Sequence, residues 1–235
     1  IQGVRCFGGS SGKITVSVSG GAGAYTYSWS QNLGLNSPMA SNLAAASYIV
    51  SVTDANSCSA SATYNISQPT ALNLPTPTVT NITCFGGNDG TATANATGGV
   101  SPYTYLWNPS AQVTQTAMGL SAQSYNITVT DDSLCTVSAS VIVSQPAQIS
   151  IAGNVTNVQC NGNNDGAIDI TITNGVAPLS YLWSNTLTTQ DLSNLFIGNY
   201  SVTVTDNTGC SQTATYNLTE PSSLVINSPA TLASV

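Results

Sequence analysis

Six landmarks recur in the same order three times along the 235 residues. A cysteine opens each set at Cys6, Cys84 and Cys160, spaced by 78 and 76 positions, and Trp29, Trp107 and Trp183 keep the same spacings. Tyr48, Tyr125 and Tyr200 follow, then an aspartate after threonine at Asp54, Asp131 and Asp206. A second cysteine comes next (Cys58, Cys135, Cys210), and "QP", "QP" and "EP" close the sets at Pro69, Pro146 and Pro221. A fixed period of this length is the mark of a repeat array. The chain is therefore expected to fold as small repeats, at 1–70, 71–146 and 147–222, with 223–235 opening a further one. The terminal "SSLVINSPATLASV" resembles "TALNLPTPTVTNIT" and stops where another cysteine would fall, so an excerpt from a longer array is expected.

Within each repeat the local pattern is that of strands. "KITVSVSG", "TATANATG" and "AIDITITN" alternate small or apolar with polar residues, and "YIVSVTD", "YNITVTD" and "YSVTVTD" add β-branched side chains. Helical spacing with caps is missing, and Gly, Asn, Asp and Pro punctuate every run. An all-β chain follows: a tandem array of three immunoglobulin-like antiparallel β-sandwich repeats, with one disulfide each.

The order "CFGGNDG", "GGVSPYTYLW", a leucine, four residues, "YNITVTD" and a second cysteine closely resembles the SprB repeat family of large surface adhesins in gliding Bacteroidetes. The "GG, PYTYSW, GxYxVxVTD" order is also similar to polycystic-kidney-disease domains, which are immunoglobulin-like. Repeat 1 departs from the pattern with Ser10 and Ser11 where repeat 2 has Asn88 and Asp89, and repeat 3 has Asn161 and Leu179 at aromatic positions. The resemblance implies a secreted, cell-surface protein. Its repeats would serve as a stalk or filament segment of an adhesin, supporting attachment and gliding, or would themselves bind glycan or a surface. The implied partners are neighbouring repeats of the same chain, other chains in a fibre, or surface glycans.

Each repeat holds two cysteines, 52, 51 and 50 positions apart, with no CxxC and no His in the chain. Zinc wants closely spaced pairs supplying four ligands. Structural disulfides fit better, with free or intermolecular thiols as the alternative. Pairing within repeats is expected: Cys6 with Cys58, Cys84 with Cys135, Cys160 with Cys210. That pairing assumes that the two cysteines begin neighbouring parallel strands. Oxidised cysteines also belong outside the cytoplasm.

Only 5% of the residues are charged, and Arg5 and Lys13 are the sole cations. Nucleic acid and anionic membrane surfaces both demand clustered Lys and Arg, so neither is an expected partner. No apolar run reaches the roughly 18 residues of a membrane span, and membrane insertion is not expected. Catalysis is not expected either, because no histidine base exists and no Ser or Cys sits beside an activator. The pair Asp165 and Asp169 flanks a turn into a strand. The glycine phrase lacks the Lys and following helix of a phosphate loop and reads as a tight turn.

Hard cations gather several carboxylates. Asp89, Asp131 and Asp132 could converge in repeat 2, but Asp54 is the one acid of repeat 1. No cofactor is expected, with calcium in repeats 2 or 3 as the alternative. The "VTD" aspartates read as turn formers. Tyr103, Tyr105 and Trp107 share a strand face, either as core or as a sugar-stacking platform. Tyr48, Tyr125 and Tyr200 resemble a tyrosine corner. Asn-x-Ser/Thr sequons follow from composition, while "DSL" resembles a short bacterial O-glycosylation signal with Ser133 as its acceptor.

Overall fold

A computed structural model describes residues 1–31 and 33–227. Of the segment expected to open a further repeat at 223, residues 228–235 lie outside the described residues. The chain forms two compact units: Ile1–Thr80 with Gly90–Val143, and Asn81–Asp89 with the residues from Ser144 onward.

Every described element is a strand. In repeat 1, β1 (Gly12–Thr15) pairs with β3 (Met39–Leu43), while β4 (Ser47–Thr53) lies between β2 (Thr26–Trp29) and β5 (Ser59–Asn65). Repeat 2 adds a leading strand, so that β6 (Thr78–Thr80), β7 (Gly90–Thr93) and β9 (Thr116–Leu120) make one sheet. Its other sheet holds β8 (Tyr103–Asn108), β10 (Gln123–Asp131) and β11 (Thr136–Val143), with β10 central. Repeat 3 repeats this order: β12 (Ser150–Thr156), β13 (Gly166–Thr173) and β15 (Leu192–Leu195) against β14 (Ser180–Trp183), β16 (Gly198–Thr205) and β17 (Ser211–Leu218). First, second and fourth strands in one sheet, with third, fifth and sixth in the other, is the immunoglobulin-type distribution. All pairs are antiparallel.

Strand alternation places the core between the sheets. In repeat 3 the inward set is Ile168, Ile170, Trp183, Leu192, Leu195, Val202, Val204 and Leu218, all buried. In repeat 1 it includes Ile14, Trp29, Leu43, Tyr48, Val50 and Ile66. Because side chains alternate with a period of two, the intervening Ser and Thr face out. Hydroxyl ladders such as Ser51–Ser61, Thr128–Ser138 and Ser201–Thr215 line that face and give a nearly uncharged chain a polar surface.

Strand direction overturns the expected cysteine pairing. In repeat 3, Cys160 lies in the connection from β12 to β13, at the end where β13 starts and β15 stops. The β16 strand starts at that same end, and Cys210 follows it at the opposite one. Eight strand residues separate the two by roughly 25 Å at 3.3 Å per residue, far beyond the Cα separation of about 7 Å that a disulfide tolerates. The two cysteines of a repeat therefore do not begin parallel neighbours. The disulfides are Cys6–Cys135 and Cys84–Cys210, each joining consecutive repeats, and Cys58 and Cys160 are free and exposed.

Candidate functional site

The feature that sets this chain apart from a plain string of sandwiches is the junction built around each disulfide. Each junction lies within one compact unit. One half is the loop of a repeat's first cysteine, the other the final turn of the next repeat.

The loop is built three times by the same contacts. The amide two residues after the cysteine belongs to Gly8, Gly86 or Gly162, each at positive φ, where a side chain would be strained. Those amides donate to the Gln68, Gln145 and Glu220 side chains, each at 2.8 Å. The next amide, of Gly9, Gly87 or Asn163, closes the turn on the cysteine carbonyl at 3.0 Å. A side-chain oxygen of Ser11, Asp89 or Asp165 then accepts the amide preceding the cysteine, from Arg5, Thr83 or Gln159. The serine that stands in for aspartate in repeat 1 therefore does the same work. Behind the loop, the Val4, Ile82 and Val158 amides donate to the carbonyls of Ser67, Ser144 and Thr219, just past the last strand of each repeat.

The receiving turn is equally regular. Asp54 Oδ1 accepts the Cys58 amide at 2.8 Å and the Asn56 amide at 2.9 Å, while Oδ2 accepts Ala22 at 3.0 Å. Asp131 accepts the amides of Cys135 and Val100 at 2.8 and 2.9 Å. Asp206 takes those of Cys210, Thr208 and Val176. In each repeat one carboxylate fixes the second cysteine and ties its turn to the loop that precedes the Trp-bearing strand. The "GG" phrase makes room for this contact: a Cβ at Gly99 would meet Asp131 Oδ2 at 2.6 Å. Gly20, Gly98 and Asn174 precede it at positive φ, conformations open to glycine and tolerated by asparagine.

Direction explains why these halves meet. The chain leaves a repeat past its last strand, beside its first-cysteine loop, and enters the following repeat at the end that carries the final turn. In the second unit the junction is a cavity of about 480 Å³ around Cys84 and Cys210, walled by Ile82, Phe85, Gln148, Val176 and Thr208.

The Ala22 and Cys58 amides hold the Asp54 carboxyl below the usual aspartate range. The Thr208 hydroxyl, with the Val176 and Cys210 amides, does the same for Asp206, and Thr83 for Asp89. A carboxyl depressed on folding contributes stability that is complete above its unfolded value, about 3.9, and is lost as pH falls through the folded one. We expect the melting temperature to be flat above about pH 5 and to fall below about pH 4. Calorimetry on Asp206→Asn should show a lower plateau and a shallower acid fall; an acid limb identical to wild type would exclude Asp206 as a contributor.

Trp29, Trp107 and Trp183 are buried, and their indole N–H groups donate to the carbonyls of Ser37, Thr114 and Thr189. Tyr103 and Tyr105 are half-buried, with the Tyr103 hydroxyl donating to the Gly98 carbonyl. Tyr48, Tyr125 and Tyr200 each donate to a carbonyl four residues back, of Ala44, Ser121 and Phe196, at 3.1 Å. Ser133 is half-buried in the final turn beside Cys135, and Asp132 is exposed there. Asp165 caps its loop, while Asp169 sits on β13 opposite Asn154. Among the described residues no three His, Cys, Asp or Glu side chains gather as a cation would need. No helix among them is long and apolar enough to cross a membrane. The clamp residues Gln68, Gln145 and Glu220 carried a signal in the sequence as the residue before each closing proline, but their contacts span 58 to 60 positions.

The family model described as "SprB repeat" matches residues 1–34, 76–112 and 152–188. No curated protein sequence matches the chain. Among solved structures, the N-terminal eight immunoglobulin domains of Down Syndrome Cell Adhesion Molecule align over 84% of this chain at 11% identity, with a TM-score of 0.40. The chain spans 33% of that protein's resolved length. Sidekick-1 immunoglobulin domains 1–5 align over 83% of this chain and 52% of their own at 14% identity and a TM-score of 0.29. The immunoglobulin-like assignment stands on the strand order.

Proposed function

Because the chain carries three SprB repeats, we propose that it is a tension-bearing stalk segment of a secreted cell-surface adhesin, holding an adhesive part away from the cell. Its role in attachment, and in gliding, comes from the family resemblance. The reading is structural rather than catalytic.

One observation carries it: the two disulfides overlap along the chain. Without cross-links, Cys6 and Cys210 are separated by 204 positions, which extend to about 700 Å at about 3.5 Å per residue. With them, a shorter covalent route exists. It crosses from Cys6 to Cys135, returns along the chain to Cys84 and crosses to Cys210. Only the 51 positions between Cys84 and Cys135 then need to straighten, about 180 Å at the same rise. A stalk loaded through such a ladder yields a quarter of its length even if every sandwich opens. Disulfides confined to single repeats would leave the connections between repeats uncrossed.

Single-molecule pulling between attachment points at the two ends tests this. The oxidised chain should show a total gain of contour near the shorter figure, and the reduced chain about four times more. Equal extension with and without reductant would refute the tensile reading.

A further inference from the structure

We propose that the cavity at the second junction, around Cys84 and Cys210, is a binding site for a short neutral saccharide. The inference is independent of the stalk reading and adds a ligand site to one junction of the chain.

The two junctions share a framework and differ in what lines it. At the first, the walls touch: the Gly99 amide donates to the Thr70 carbonyl at 3.0 Å, and the Ala71 carbonyl leaves no room for a Cβ on Gly98. At the second, Gln148 and Asn174 stand in the positions of Ala71 and Gly98. Asn174 keeps the positive φ of that glycine, and its side-chain amide donates to the Gln148 carbonyl at 3.0 Å. A side chain thus stands between backbones that meet directly at the first junction. On the strand that follows the second cysteine, Gln212 stands where the preceding repeat has Val137. The cavity of about 480 Å³ lies inside the range of about 300 to 1,000 Å³ that small-molecule sites occupy.

Four amide side chains line that space, and each is only partly used. Gln145 accepts the Gly86 amide through Oε1, and Asn174 donates through Nδ2. Gln148 Nε2 reaches Gln212 Oε1 at 3.4 Å, longer than the roughly 2.7 to 3.2 Å of a well-made N–H···O bond. Among the described residues, Gln145 Nε2 and Gln212 Nε2 donate to nothing, while Gln148 Oε1 and Asn174 Oδ1 accept nothing. Two donor groups and two acceptors are therefore open in one cavity. Phe85 and Val176, both exposed, add an apolar wall.

Charge decides the class of ligand. Neither Arg5 nor Lys13 lines the cavity, so a carboxylate, sulfate or phosphate would lose its water without gaining a counter-ion. The one acid there, Asp206, is committed to the amides of Val176, Thr208 and Cys210 and to the Thr208 hydroxyl, which leaves little for an ammonium group. A sugar hydroxyl donates and accepts at once, so it can bridge an amide oxygen and an amide N–H. The C–H face of the same sugar needs an apolar wall, and Phe85 presents one.

The test titrates the whole oxidised chain, labelled with nitrogen-15, with cellobiose, maltose, lactose and chitobiose. At least one disaccharide should saturate, and the side-chain amide signals of Gln145, Gln148, Asn174 and Gln212 should be those that move. Rewriting the second junction with the residues of the first, as Gln148→Ala with Asn174→Gly and Gln212→Val, should weaken that binding by about tenfold or more, as the loss of two or more hydrogen bonds requires. Peptide mapping of the variant should still return Cys84 joined to Cys210. Should the triple variant fold poorly, Gln212→Val alone should weaken binding by about fivefold. No saturation of any disaccharide by about 10 mM, equal affinity in wild type and variant, or shifts confined to residues away from the junction would each overturn the inference. So would tighter binding of glucuronic acid, or of an uncharged serine–glycine peptide, than of every neutral sugar. The pulling experiment depends on the disulfides alone, so a failure here leaves the stalk reading to stand or fall separately.

Discussion

Replacing Cys84 by serine should lower the stability of the oxidised chain by about 5 kcal/mol, one of the largest effects available to a single substitution. The disulfide it removes spans 126 positions. In the chain-entropy account, a closed loop of that length restricts the unfolded state by about 5 kcal/mol at 25 °C. The native state loses little in exchange, since the Cys84 loop is held by Gln145 and Asp89 without help from sulfur. Guanidinium unfolding of Cys84→Ser against wild type, both oxidised, measures the difference. Peptide mapping of the wild type should return Cys84 joined to Cys210. Recovery of Cys84 joined to Cys135, or a stability loss below about 1 kcal/mol, would overturn the cross-repeat junction.

Trp183→Ala is expected to cost about 3 to 5 kcal/mol, a large share of the 5 to 15 kcal/mol that holds a typical domain. The indole is fully enclosed between the sheets, among Ile168, Ile170, Val202 and Val204, with the Tyr216 ring centroid 6.2 Å away. Truncation leaves a cavity that a β-sandwich cannot collapse, since its sheets are held apart by the remaining side chains. It also leaves the Thr189 carbonyl without its donor. Trp183→Phe keeps most of the volume and loses the hydrogen bond, so it should cost less than half as much. Denaturant unfolding followed by far-ultraviolet circular dichroism separates the two. An alanine variant within about 1 kcal/mol of wild type would mean that the aromatic strand face is not what holds the sheets together.

These two expectations draw on different layers of information. The role of Trp183 is legible from its own strand: alternation in "PLSYLW" puts it on the inner face, and its recurrence at Trp29 and Trp107 marks it as part of the repeat. The aspartate of each "VTD" is legible in the same way, as an acid placed two to four residues before amides that need an acceptor. Such properties are local, because backbone geometry fixes what neighbours a few positions apart can do.

The partner of each cysteine is not local. Spacings of 52, 51 and 50 positions made pairing within repeats natural. What decides the matter is the end of the sandwich at which each cysteine emerges, and that depends on the direction of every strand between them. The antiparallel ladders from β12 to β17 put Cys160 and Cys210 at opposite ends, although a shift of one crossover would have put them together. The clamp residues tell the same story: "QP", "QP" and "EP" were visible as a repeated phrase, but Gln68, Gln145 and Glu220 acquire a role only when the last strand returns its end to the first-cysteine loop. Sequence alone determined the repeat, the strands and the core face, and it pointed to disulfides at all six cysteines, of which the structure pairs four. The tertiary structure decided which sulfurs meet, because pairing follows distance in space, and the chain exits each repeat beside one cysteine and enters the next beside the other.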